Sequence, residues 1–117
     1  MRLQGRQYME GSIRIIQQEE KTLVKLQGVL DKELAANLKG IASKTEPPVL
    51  LDLKQVPHIT VAGSEAILHF YQLHKQKPEI RGGNTDVISL LKLTGVSSYS
   101  TLVADIAIVD TTNTTKS

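Results

Sequence analysis

The chain has 117 residues, of which 40% are hydrophobic and 22% charged, and it carries a net charge of +2. This is the size and composition of one globular domain, and the charge is too small to argue for nucleic acid or an anionic membrane as a partner. With Cys at 0 and aromatics at 3%, disulfides and thiolate chemistry are excluded, and the few rings make a poor base-stacking surface.

Met1 to Gly11 is polar and without periodicity, so residues 1–11 read as a flexible lead-in with no signal-peptide core. No apolar run nears the ~20 residues of a membrane span, and the expected location is cytoplasmic. Ser12 to Gln17 is an extended segment marked by Ile13, Ile15 and Ile16. A polar turn leads to Thr22-Leu23-Val24-Lys25-Leu26, which alternates as a half-buried strand does. Together they predict an antiparallel hairpin. Asp31 is the candidate N-cap of a first helix whose buried stripe is Leu34, Leu38 and Ile41, with Gly40 as its stop signal. Pro47-Pro48 cannot continue that helix.

Val49-Leu50-Leu51-Asp52-Leu53 has the near-continuous apolar character of a strand buried on both faces of a parallel sheet. Val56, Pro57 and Ile59 make an extended link. A second helix follows from about Val61, with Ala62, Ala66, Phe70 and Leu73 on one side and Ile67 and Tyr71 beside them, and Gln76 to Pro78 ending it. Glu79 to Gly82 is a short strand candidate, then a turn. Asn84 or Thr85 can cap a third helix with Val87, Leu90, Leu91 and Thr94 as its stripe, and Gly95 is placed as a C′ glycine. Tyr99 to Val109 fits strand or short helix, and residues 111–117 read as a disordered tail. Strands alternating with helices predict an α/β domain over residues 12–110 with right-handed crossovers.

Gly28-Val29-Leu30-Asp31, Val49 to Val56, His58-Ile59-Thr60-Val61-Ala62-Gly63 and Val87 to Val96 stand in an order and spacing that resembles the STAS domain family of anti-sigma-factor antagonists. The likeness runs from about Ser12 to Ala107. It implies a single STAS-like α/β domain: a mixed, mostly parallel sheet of four to five strands with helices mainly on one face. It also implies a bacterial signalling module, acting in transcription regulation by binding a protein partner, and not an enzyme.

In the family a phosphate on a switch serine, just before a glycine at the start of the second helix, controls that binding. Aligned through Gly63, the two hydroxyl positions fall on Val61 and Ala62, and neither can take a phosphate. The local hydroxyls are Thr60 and Ser64. Residue chemistry reads Thr60 as an N-cap and Ser64 as a solvated residue of the first turn. The resemblance keeps both as candidate phosphoacceptors. His58, Thr60, Val61, Ala62, Gly63, Ser64 and Glu65 are the candidate partner-binding residues. Val61 and Ala62 form an apolar patch if exposed; the alternative tucks Val61 into the core.

No metal, cofactor or catalytic set is expected. His69 and His74 are five residues apart, which is off the spacing of facing ligands on a helix. Asp52 reads as a structural acid bonding backbone at its strand end, and Arg81-Gly82-Gly83-Asn84 as a plain turn. Asn113-Thr114-Thr115 is a chance glycosylation match. Two partners remain open: an anti-sigma-kinase-like protein, or the ATPase subunit of a lipid-trafficking ABC transporter, which a STAS accessory subunit would brace. A small-ligand binder is a third class, with only generic loops in its favour.

Overall fold

The computed structural model describes residues 12–103 and the backbone of residues 6–10. Its sheet has six strands in the order of the chain: β1 Arg6–Glu10, β2 Ile13–Gln17, β3 Thr22–Gln27, β4 Val49–Gln55, β5 Glu79–Arg81 and β6 Thr101–Val103. The first two pairings are antiparallel and the remaining three parallel. Helices α1 Lys32–Ala42, α2 Val61–His74 and α3 Thr85–Leu93 make the crossovers, and a 3-10 turn, Val96–Tyr99, leads into β6. All three crossovers step the same way along the sheet. With the usual right-handed connection that places all three helices on one face.

The two faces of the sheet differ in chemistry because side chains alternate along each strand. Ile15, Val24, Leu51 and Ile80 are register partners in one row and belong to the core packed against the helices. The next row reads Arg14, Lys25, Asp52, Arg81 and faces away from the helices. β4 lies between β3 and β5, and Val49 to Leu53 are all buried. That explains its near-continuous apolar run. Under the helices the core centres on Phe70, Leu38, Ile41, Leu30 and Ile67, each with no exposure.

The structure corrects several expectations. The segment read as a lead-in contains β1, paired with β2 from Arg6↔Gln17 to Glu10↔Ile13. Its sequence lacks apolar alternation, so only the pairing with β2 reveals it as a strand. Among the described residues β1 adds an edge strand to the expected mixed, mostly parallel sheet and brings its count to six. Gly40 does not end α1, which runs on to Ala42, where the Ser43 N–H bonds Ile41 O. α2 stops earlier than expected, at His74, with Lys75 left-handed at φ 59°. Leu73 is 44% exposed, and Gly63, Ser64, Ala66, Ile67 and Phe70 form the buried face. α2 is apolar on nearly every side, so its sequence could not set the phase of burial. In α3, Val87 and Leu91 are buried, Leu90 is half-buried and Thr94 is exposed. The ambiguous segment begins on Tyr99, the last residue of the 3-10 turn, and continues as the strand Thr101–Val103. Residues 104–110 and the tail 111–117 lie outside the described residues. No helix among those described is long and apolar enough to cross a membrane.

Candidate docking site

The loops after β3, β4 and β5 meet at the carboxyl edge of the parallel strands, the usual place for function in open α/β sheets. They are tied by backbone. The Gly28 N–H bonds Gln55 O at 3.0 Å, with Gly28 at φ 101°. Leu30 and Ile59 form a parallel bridge: the Leu30 N–H donates to His58 O at 3.0 Å and the Thr60 N–H to Leu30 O at 3.1 Å. Asn84 Nδ2 donates to Pro57 O at 3.0 Å while its Oδ1 caps α3 by accepting from the Val87 N–H at 2.8 Å.

Thr60 joins the bridge to α2. Its hydroxyl accepts from the Gly63 N–H at 3.2 Å and donates to Leu30 O at 3.1 Å. This is the expected N-cap, with one of the orphan N–H groups of the first turn satisfied. Both capacities of the hydroxyl are engaged. Gly63 is packed so closely that a Cβ there would lie 2.6 Å from Leu30 O and 2.8 Å from Ile59 Cγ1. The helix start can approach the bridge only because residue 63 has no side chain.

The seven candidate residues therefore separate. His58 and Glu65 are exposed, Val61 is 55% exposed, and Thr60 and Ala62 are half-buried. Gly63 and Ser64 are buried and contribute packing, not surface. Ser64 is not the solvated residue expected: it has no exposure, and its Oγ donates to Val61 O at 2.7 Å. Val61 points outward, so the alternative that buried it is set aside. Sequence reasoning missed Val29, 43% exposed on the neighbouring loop. Val29 and Leu30 stand together just before a cap, and Leu30 is fully buried in the bridge. Two adjacent side chains of such a link point opposite ways, so Val29 is left outside.

Next to this edge, Asp52 is 3% exposed. Its Oδ1 accepts from the Lys54 N–H at 3.0 Å and its Oδ2 from Arg81 Nη2 at 3.0 Å. Burial pushes the carboxyl up, but the Lys54 N–H, the Arg81 hydrogen bond and the nearby Arg81 and Lys54 charges outweigh it and hold it below its ordinary value. The Lys54 N–H lies where β4 slips in register against β3, between Lys25 and Gln27. Asp52 thus bonds backbone at its strand end, as expected, and secures an irregularity. His74 Nε2 donates to Ala42 O at 3.0 Å and its ring meets Phe70 edge-on. Among the described residues no group of three or more His, Cys, Asp and Glu could hold a metal ion.

Compared by sequence, the chain matches no family model and no curated protein. Compared by structure, it superposes on an anti-sigma factor antagonist, SpoIIAA in its unphosphorylated form. The TM-score is 0.57 at 9% identity, over 78% of this chain and 86% of that one. The chain has a STAS-like fold. A sulfate transporter family protein from Wolinella succinogenes matches with a TM-score of 0.57 at 20% identity, over 65% of this chain and 67% of that one. At these identities the likeness is one of fold.

Proposed function

We propose that this STAS-like chain is a non-catalytic protein-binding module that docks through the start of α2 and the loop before α1, with Val61 and Val29 as its apolar contacts and His58 and Glu65 at the rim. The observation that carries the reading is Val61: a β-branched apolar side chain 55% exposed on a helix start that backbone hydrogen bonds hold in place. A rigid apolar projection loses little conformational freedom when a partner covers it. The edge also contains the segment that corresponds to the family's switch. On this reading the chain is an anti-sigma-antagonist-like regulator in the cytoplasm of a bacterium.

A second reading is favoured by the hydroxyls. On the motif alignment through Gly63 the family's switch position falls on Ala62; Ser64 is buried, and the Thr60 hydroxyl is committed to Gly63 and Leu30. A phosphate on Thr60 would remove its donor and break the cap. Docking without a phosphate switch suits an accessory subunit that braces the ATPase of a lipid-trafficking ABC transporter. Native affinity purification with intact-mass measurement tests both. A signalling kinase recovered with the wild type and lost with Val61→Asp supports the regulator; an ATPase subunit with the same loss supports the accessory role. Recovery of the same partner by wild type and variant would remove this edge as the docking site. An added mass of about 80 Da, one phosphate group, would overturn the unswitched reading.

A further inference from the structure

The outer face of the sheet places two cations directly opposite each other. Arg14 on β2 and Lys25 on β3 are direct cross-strand partners. Like charges placed opposite each other destabilise a sheet. Lys25 is also the register partner of Asp52 on β4, whose hydrogen bonds go to Arg81 and the Lys54 N–H. Among the described residues neither Arg14 nor Lys25 has a side-chain ion-pair partner. β1 covers the flank of β2, so Arg14 is not an edge-strand guard.

The same two cations line one cavity of about 250 Å³, with Ser12, Leu26, Gln27 and Gln55 completing its wall. Its rim is set by backbone, with the Gln27 N–H on Ser12 O and the Gly28 N–H on Gln55 O, both at 3.0 Å. A second cavity of about 260 Å³ shares Lys25, Leu26 and Gln55 and adds Asp52 and Lys54. The first cavity thus collects a guanidinium, an ammonium, a hydroxyl and two carboxamides on the outer surface of the sheet, with Arg14, Ser12, Gln27 and Gln55 exposed and Lys25 half-buried. It falls short of the roughly 300–1,000 Å³ of sites for drug-sized organic ligands, but it has room for a small anion.

We propose that this cavity is a binding site for a tetrahedral oxyanion, a phosphate or sulfate group, bridged between Arg14 and Lys25. The planar guanidinium gives paired hydrogen bonds to two oxygens of such a group, and the ammonium adds a point charge from across the strand pair. The Ser12 hydroxyl and the Gln27 and Gln55 amides supply neutral donors around it. An anion there converts the Arg14–Lys25 repulsion into two attractions. The site is separate from the docking reading, because it uses none of Val29, His58, Val61 or Glu65.

Thermal unfolding of the full chain, at fixed ionic strength, tests the site with phosphate, sulfate and chloride as probes. The expected result is a melting temperature that rises with phosphate or sulfate concentration and not with chloride, as ligand linkage requires. Arg14→Gln and Lys25→Gln should each weaken the apparent affinity at least tenfold. Arg14→Gln should also melt higher than wild type in chloride alone, since the repulsion is gone. Lys39→Gln on α1 should leave the response unchanged. Tighter binding of phosphate than sulfate would assign the ligand as a phosphate group; the reverse order would assign sulfate. Equal responses to all three salts would overturn the site. So would a phosphate response that survives in the Arg14→Gln, Lys25→Gln double variant. Backbone amide NMR shifts on phosphate titration separate the site from the docking edge: movement at residues 12–14, 25–27 and 55 supports it, and movement confined to residues 58–65 overturns it.

Discussion

Helices α1 and α2 begin at the same edge of the sheet, but their first turns are built from different chemistry. α1 starts with a carboxylate: Asp31 Oδ1 accepts from the Leu34 N–H at 3.0 Å, and Glu33 adds a second acid in the first turn. Both complement the positive end of the helix dipole. α2 starts with the neutral Thr60 hydroxyl, has no acid in its first turn, and presents Val61 and Ala62. α3 lies between them, with a neutral cap, Asn84, that also reaches Pro57 O, and an acid, Asp86, in its first turn. The difference shows that α2 is held at its start by tertiary contacts and not by local charge. Its cap bonds outward to Leu30 as well as inward to Gly63. A helix start anchored in this way can leave its exposed residues apolar, and so free for a partner.

The strongest way to break that arrangement is Gly63→Ala. The new methyl would lie 2.6 Å from the Leu30 carbonyl, a backbone atom that cannot swing aside. Overpacking of this kind costs about 1–3 kcal/mol, read as a lower midpoint in urea unfolding. Gly40→Ala in α1 is the contrast, because nothing lies within 4 Å of its Cβ position. There the helix should gain about 0.5–1 kcal/mol.

Asp52→Asn probes the charged anchor beside the α2 loop and should cost about 1.5–3 kcal/mol, the worth of hydrogen bonds to a charged group. It also carries a pH signature. The folded-state value of Asp52 is held below its ordinary one by the Lys54 N–H and by Arg81, which outweigh the opposing effect of burial. Its contribution is therefore present above about pH 4, the unfolded carboxylate value, and is lost as pH falls through the lower folded value. Wild type should lose stability over that acid range more steeply than Asp52→Asn, as measured by unfolding at pH 7 and at successive acid steps.

Thr60→Ala and Asp31→Ala set the two caps side by side. Each should cost about 1 kcal/mol, but their salt dependence should differ. The Asp31 contribution includes a dipole interaction that salt screens, whereas the Thr60 contribution does not. Thr60→Ser should retain most of the wild-type stability. Equal salt sensitivity in both alanine variants would remove the distinction drawn between the helix starts. Val61→Asp should change stability least, within about 0.5 kcal/mol for an exposed position, while abolishing partner recovery.

Local pattern alone determined much of this molecule. The β2–β3 hairpin, the buried run of β4, and the caps Asp31, Thr60 and Asn84 follow from alternation, apolar continuity and short-range hydrogen bonding. Those are properties of neighbouring residues, and a sequence displays them directly. The order of motifs also pointed to the STAS-like fold. The tertiary structure decided the rest. β1 has no apolar alternation, so its place depends on an available edge at β2. α2 is apolar on most sides, and only its contact with α1 and the Leu30–Ile59 bridge turns Ser64 inward and Val61 outward. The row Arg14, Lys25, Asp52, Arg81 joins residues from four strands. No local rule relates their positions, because register across a sheet is set by the packing of its buried face.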